Sequence, residues 1–306
     1  MLIPVFTMMI GVSGSGKSTV AAEIAKETGA EIVSSDAIRG EIYGDENCQT
    51  NPARVFEIVH QRVHRALREG RDVIMDATNL SCKRRMSFLK TLKGILCKKT
   101  CVVVVATPED IEERMKHRER KVPMEVVHKQ MCQFQCPNYY EGWREIEVKH
   151  TSTTDASFTS YMKLLQETRM PHDNHHHTLD IHDHMLAAKE YMEQNHKAND
   201  DDEWVAYIHD WGKPRTKTFI NAKGEKTEEA HYYGHQNYGA YYSLLFDGIT
   251  EDSELIRISL DNACLVQWHM EHYIRHGKAL EKFYEMIGPE LTHRLKLLEE
   301  ADKVAH

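Results

Sequence analysis

Eight residues near the start of the chain, Gly11-Val-Ser-Gly-Ser-Gly16-Lys17-Ser18, fit the pattern GxxxxGK[ST]. Glycine-rich backbone lets successive N–H groups turn inward around phosphate. The lysine neutralises the outer oxygens, and the serine hydroxyl can hold Mg²⁺ at the positive end of a helix. Gly11, Ser13, Gly14, Ser15, Gly16, Lys17, Ser18 and Thr19 are therefore the candidate nucleotide-binding residues. A different chemistry is spread over the second half, in His184, His209-Asp210, Lys213, His231, His235, His269 and Asp302. Neutral imidazoles and carboxylates drawn from separate segments suit a divalent transition metal that keeps positions open for water.

Between these two sets lie residues that could handle a phosphoryl acceptor. Ser34-Ser35-Asp36-Ala37-Ile38-Arg39 follows an apolar run, so Asp36 stands where a general base would take a proton from an attacking hydroxyl. Arg39, one helical turn on, could hold an acceptor phosphate; the alternative makes Asp36 a helix cap. Arg114, Arg118, Arg120 and Lys121 precede Val-Pro, as a cationic lid or as an ordinary solvated helix.

The elements needed to position these groups divide at about residue 150. Residues 1–150 alternate apolar runs (VFTMMI, EIVSS, DVIMDA, CVVVVA) with helical patterns, which predicts a parallel sheet with crossover helices. TSTTDASFTS, with seven Ser or Thr in ten residues, marks a linker over 151–170. From 171 to 306 the strand runs give way to amphipathic segments, and an all-α unit is expected.

A chain of 306 residues is long enough for two cores. With 41% hydrophobic and 28% charged residues it has the composition of a globular protein, and no apolar run approaches the ~20 residues of a membrane span. Seven cysteines without an export signal predict reduced thiols in a cytoplasm, and the Cys97/Cys101 and Cys132/Cys136 spacings fit zinc poorly. Residues 1–150 carry 23 Lys and Arg against 20 Asp and Glu (net +3), the remainder 16 against 27 (net −11). The first balance suits a phosphate-rich ligand and the second bound cations.

GVSGSGKST, SSDAIR, DATNL with KRR, and RMKHRERKVP follow one another in the order found in the P-loop polynucleotide 5′-kinases of phage and bacterial nucleic-acid repair, which the first 130 residues resemble. The resemblance implies ATP or another NTP with Mg²⁺, Asp36 as general base, Arg39 on the acceptor phosphate and Arg118 as the lid arginine. It also places Thr78, Asn79 and Arg85 on the acceptor side, although Ala77 separates Asp76 from Thr78-Asn79, where some relatives have Asp directly before that pair.

Residues 172–306 resemble the HD phosphohydrolase superfamily in the order H…HD…H…D. By that resemblance His184, His209, Asp210 and Asp302 ligate the metal, Lys213 contacts phosphate, and His235 and His269 match the extra histidines of members with a second metal. One or two Mn, Ni, Co, Fe or Zn ions are implied. The stretch HHHTLDIHDH, 175–184, then contributes one ligand, His184; its doublet His182-Asp183 is a decoy. His172, His175, His177, His182, His272 and His276 are given structural roles, and His176 is left open.

Together the resemblances imply end-healing of broken RNA or DNA in a bacterial or phage-infected cytoplasm, upstream of a separate ligase. A small-molecule or nucleotide kinase fused to a nucleotide phosphohydrolase is the alternative, and a non-enzymatic nucleotide switch a third reading.

Overall fold

Strand β1 (Val5–Ile10) forms where the sequence is apolar on both faces, and Phe6, Met8, Met9 and Ile10 are all buried. Such a strand is stable only in the middle of a covered sheet. The computed structural model describes residues 3–118, 121–174, 178–194, 199–247 and 253–305, and its backbone separates into two units. The first comprises residues 1–130 and 137–152; the second comprises 131–136 and 153–306.

In the first unit β1 is followed by α1 (Lys17–Thr28), β2 (Glu31–Ser34), α2 (Ser35–Tyr43), α3 (Pro52–Arg68), β3 (Val73–Asp76), α4 (Cys82–Thr91), β4 (Lys98–Val105), α5 (Pro108–His117), α6 (Met124–Met131) and β5 (Glu145–His150). All strand pairs are parallel, in the order β2-β3-β1-β4-β5. This is the parallel α/β sheet with crossover helices that the alternating pattern predicts. Helix α1 packs Val20 and Ala21 on Met9, Ile74, Val102 and Val104. Helix α3 starts at an Asn51 cap with Pro52 in its first turn, and buries the stripe Val55, Val59, Val63 and Ala66. In open α/β sheets ligands bind beyond the carboxyl ends of the strands, and the loop after β1, the β2–α2 junction and the segment after β3 all lie there.

Arg85, an expected acceptor residue, has a different job. Its side chain is fully buried, with Nε and Nη2 donating to Glu141 at 2.8 and 2.6 Å and Nη1 donating to the carbonyls of Asn79 and Leu80 at 3.0 Å. The guanidinium ties α4 and the segment after β3 to the turn at Tyr139–Glu141. Asn79 is likewise committed. It sits in the left-handed region at φ 47°, and its amide donates to the Met9 carbonyl at 2.8 Å.

The second unit runs α7 (Thr154–Glu167), α8 (Ile181–Gln194), α9 (Asp200–Ile208), α10 (Lys213–Thr216), β6 (Lys217–Ile220), β7 (Lys226–Tyr232), α11 (His235–Asp247), α12 (Ser253–Trp268), α13 (Glu271–Ile274), α14 (Lys278–Ile287) and α15 (Pro289–Val304). Two expectations change here. The proposed linker is mostly helix α7: Thr153 caps it by accepting from the Ala156 N–H, and the small Ser157 and Ser160 are buried on one face. Ser and Thr act there as a cap and as close-packing residues. The unit is also not all-α, because β6 and β7 pair antiparallel around a turn in which Asn221 Oδ1 accepts from Lys223 and Glu225 N–H groups. All seven cysteines are free thiols. Among the described residues no helix is long and apolar enough to cross a membrane.

Breaking the buried Arg85–Glu141 pair from one side leaves a charge without its partner. Arg85→Ala is expected to cost the first unit about 3–5 kcal/mol in urea unfolding, whereas Arg85→Met combined with Glu141→Leu recovers most of that loss. If Arg85→Ala leaves stability unchanged and weakens only an acceptor substrate, the structural role is wrong.

Candidate functional site

The loop after β1 lines a cleft of about 750 Å³ with Ser13, Gly14, Gly16, Lys17, Ser18 and Thr19. Glycine is required at Gly11, where a Cβ would stand 2.4 Å from the Val104 carbonyl oxygen. Lys17 Nζ donates to the Val12 carbonyl at 2.7 Å, and Ser15 N–H to the same oxygen at 3.2 Å, closing the loop on itself. Burial pushes the Lys17 ammonium down to about 8, with Asp76 and Asp36 opposing the shift. An anion in the loop would relieve that buried cation. Ser18 Oγ donates to Asp76 Oδ2 at 2.8 Å, an oxygen pair suited to Mg²⁺.

Asp76 was not among the expected site residues. It becomes visible only when β3 pairs with β1 and brings it beside Ser18, 58 positions away in sequence. Asp36 is settled differently. Ser34 caps α2 by accepting from Ala37 N–H, so Asp36 is not the cap; it lies in the first turn and forms an ion pair with Arg39. Both line the cleft, together with Thr78 and Arg84. Arg84 therefore occupies the position that the sequence reading gave to Arg85. On the other side, Glu113, Arg114, His117 and Arg118 of the α5 end line the same cleft. Arg114 is tied down, donating to the Gly14 carbonyl at 3.3 Å and to Thr151 Oγ1 at 2.9 Å. Arg118 is exposed at the α5 C-terminus; Arg120 lies outside the described residues.

In the second unit, six expected ligands come from five helical segments and converge. His184 Nε2 is 3.0 Å from Asp302 Oδ1, 3.2 Å from His209 Nε2 and 3.5 Å from Asp210 Oδ2. On the other oxygen, Asp210 Oδ1 is 3.5 Å from His235 Nε2 and 3.8 Å from His269 Nε2, which are themselves 3.2 Å apart. Two donor groups, His184-His209-Asp210 and Asp210-His235-His269, thus share one carboxylate. Gly212 permits the approach, since a Cβ there would stand 1.9 Å from the His235 carbonyl oxygen.

Tautomers show that the cluster fits a cation. His184, His209, His235 and His269 each place Nδ1 2.5–2.7 Å from a backbone carbonyl, of Ala305, Ala206, Tyr232 and Val266 respectively. Each Nδ1 therefore carries a proton, and each Nε2 is the ring atom left to face its neighbour. Two Nε2 lone pairs at 3.2 Å repel unless a proton or a metal ion lies between them. Burial would lower the His209 imidazole, but the carboxylates of Asp210 and Asp302 overcome it and raise the group to about 10. Burial dominates at His269, lowering it to about 3. Burial also opposes ionisation of Asp210, yet Lys213 and His209 hold it well below the usual carboxylate range. The negative carboxylates favour positive charge at this point, and a divalent ion supplies it more fully than a proton.

Lys213 Nζ lies 2.6 Å from Asp210 Oδ2 and 3.2 Å from His172 Nε2. His172, expected to have a satisfied structural role, lies beside the cluster and has a partner at each ring nitrogen. Its Nδ1 donates to the Leu179 carbonyl at 2.9 Å, leaving Nε2 to accept from Lys213. No sequence period links it to His184, so only the fold reveals it. His182 faces Tyr207 and Arg169, consistent with the decoy reading, and His272 lies 3.5 Å from Glu299. His231 stacks on Tyr233. His175, His176 and His177 lie outside the described residues.

A sequence profile for the AAA domain matches residues 6–137, less than half of the chain. No curated protein matches. Among solved structures, a putative kinase from Chloroflexus aurantiacus is 14% identical, over 53% of this chain and 97% of that one, with a TM-score of 0.40. A gluconokinase from Sinorhizobium meliloti 1021 is 18% identical over 54% and 94%, with a TM-score of 0.37. A chain of a Pnkp1/Rnl/Hen1 complex is 24% identical over 40% of this chain and 42% of that one, at a TM-score of 0.35. The match thus spans less than half of that last protein. The first unit is a parallel α/β sheet with a phosphate-loop motif after β1, an arrangement suited to a nucleotide with Mg²⁺.

Asp210's two oxygens each face a histidine pair, so two Mn²⁺ are expected per chain after loading and exhaustive dialysis, measured by elemental analysis. His269→Ala is expected to retain one and Asp210→Ala neither. Undiminished metal in Asp210→Ala would refute the shared-carboxylate site.

Proposed function

We propose that the chain heals broken polynucleotide ends. The first unit transfers the γ-phosphoryl group of ATP to a 5′-hydroxyl, and the second is an HD-type phosphohydrolase that opens or removes a 2′,3′-cyclic phosphate. The observation that carries the first half is the Asp36–Arg39 pair, in the same cleft as Lys17, Ser18 and Asp76. Asp36 takes the proton of the attacking hydroxyl, and Arg39 holds that carboxylate while offering its guanidinium to the acceptor's phosphate. Lys17 and Arg118 supply positive charge to the transferring group, and the loop N–H groups orient it. Thr78 adds a hydroxyl on the acceptor side.

The carboxylate shared by two histidine pairs supports the second half. Bound divalent ions would lower the pKa of water and polarise a phosphoester. Of the chain's own groups, Asp210 and Asp302 hold positive charge at the centre, and the four backbone carbonyls fix the imidazoles. Lys213, held between Asp210 and His172, faces the developing negative charge of the phosphate. A 5′-phosphate and an opened 3′ end are the substrates a ligase joins, so a separate ligase is the inferred partner, with RNA ends preferred because only RNA cleavage yields the cyclic phosphate.

An oligonucleotide with a 5′-hydroxyl and a 2′,3′-cyclic phosphate, incubated with labelled ATP, Mg²⁺ and Mn²⁺, tests both halves at once. Asp36→Ala is expected to slow 5′-labelling by roughly 10²–10⁴-fold while cyclic-phosphate opening continues. Asp210→Ala is expected to do the reverse. Loss of both activities in either variant, or equal turnover of free nucleosides and oligonucleotides, would replace this reading with a small-molecule kinase joined to a nucleotide phosphohydrolase.

A further inference from the structure

The acceptor side of the cleft contains an aromatic ring to which nothing above gives a role. Helix α3 buries Val55, Val59 and Val63, and Phe56 stands one residue off that stripe, half-buried, at the cleft wall beside Pro52 and Gln49. A ring placed so could simply pad the core. Its surroundings indicate otherwise, because Phe56 ends a file of rings that begins in the core. Phe6 of β1 packs on Phe88 with ring centres 5.3 Å apart, Phe88 on His60 at 4.5 Å, and His60 on Phe56 at 6.3 Å. Phe6 and Phe88 are buried, so the file is anchored at one end and open to the cleft at the other.

Topology puts this open end with the acceptor groups. Helix α3 crosses over between β2 and β3, on the sheet half that also carries Asp36 and Arg39 at the start of α2. Arg62 of α3 forms an ion pair with Glu41 of α2, which holds the two helices in register. The α5 residues Glu113, Arg114, His117 and Arg118 follow β4, on the other side of β1. Phe56 therefore lines the cleft on the half that carries Asp36 and Arg39.

Resting on the 5′-kinase reading above, we propose that Phe56 is the platform on which the terminal nucleobase of the acceptor stacks, so that the cleft selects a nucleotide end over a polyol. Every base offers a π-face, which makes such a contact tolerant of sequence. Sugars and other polyols lack one, so they gain less from a ring and depend more on hydrogen-bonding groups. Arg39 meets the phosphate beyond that nucleoside, and Asp36 the hydroxyl before it. A platform backed by His60, which itself packs on Phe88, loses less freedom on binding than a ring on an open surface.

Two 5′-hydroxyl oligonucleotides decide the matter, identical except that one has an abasic 5′-terminal residue. Wild-type protein is expected to prefer the base-bearing end by on the order of tenfold in kcat/KM, expressed mainly in KM. Phe56→Ala should lower the base-bearing end to the level of the abasic one, and Phe56→Trp should keep the preference. Nucleotide binding, followed by a fluorescent ATP analogue, reports that each variant is folded around its loop. A preference that survives in Phe56→Ala, or an equal loss on both oligonucleotides, overturns the platform while leaving the kinase reading in place. Transfer to neither oligonucleotide, with transfer to a sugar, overturns both.

Discussion

A buried carboxylate with histidine lone pairs at both oxygens is the constraint around which the second unit is arranged. Asp210 is about 1% exposed, and its ionisation in that setting must be compensated by positive charge. Lys213 supplies part of it on one oxygen. His209 supplies more, and with the four Nδ1 protons committed to backbone carbonyls it is the Nε2 atoms that face the carboxylates. Those carbonyls come from helix ends and turns, where the backbone has acceptors to spare. Ala206 is in the last turn of α9, Val266 near the end of α12, and Ala305 just beyond α15. The helix boundaries of the unit are thus the means by which the ring orientations are set. Gly212 serves the same end by letting the start of α10 touch the backbone at His235.

The first unit solves the opposite problem with the same kind of material. Backbone N–H groups at the start of α1 are unsatisfied by the helix, and a buried lysine stands beside them. Thr151 and Arg114 then brace the loop from outside: Thr151 Oγ1 donates to the Ser15 carbonyl at 2.7 Å and Arg114 reaches Gly14. Ser13 N–H is held by Gln130 Oε1 at 2.7 Å, so that donor has an internal partner which a phosphate would replace.

How far this was legible in the residues depends on how local each requirement is. A phosphate loop needs glycines, a lysine and a hydroxyl at contiguous positions, and its whole signal lies in eight residues. The second cluster could be traced from the order of its His and Asp residues, since those types are few and each ligand falls in a recognisable segment. What escaped depends on pairing or on rotation. Asp76 acquires its partner only through the β1–β3 register. Arg84 and Arg85 differ by about 100° around a helix, and adjacent arginines do not announce which one faces the cleft. The Ser/Thr run at 151–160 has the composition of a linker and the spacing of a capped helix, and tertiary burial of Ser157 and Ser160 decides between them. Residues 217–232 fall in the segment expected to be all-α because their alternation is short, yet Asn221 and Gly224 supply the turn that joins two strands.

Both units therefore keep charge in places where charge is expensive, and neither arrangement is explained by stability alone. A lysine brought to about 8 by burial and imidazole pairs packed Nε2 to Nε2 are each less comfortable than an apolar filling of the same space. Such groups persist where a ligand of opposite sign completes them, because a ligand that binds only the folded state stabilises it by mass action. The signs are opposite in the two units, and the net charges of the two sequence halves, +3 and −11, follow the same division. One half is organised to receive phosphate and the other to hold positive charge.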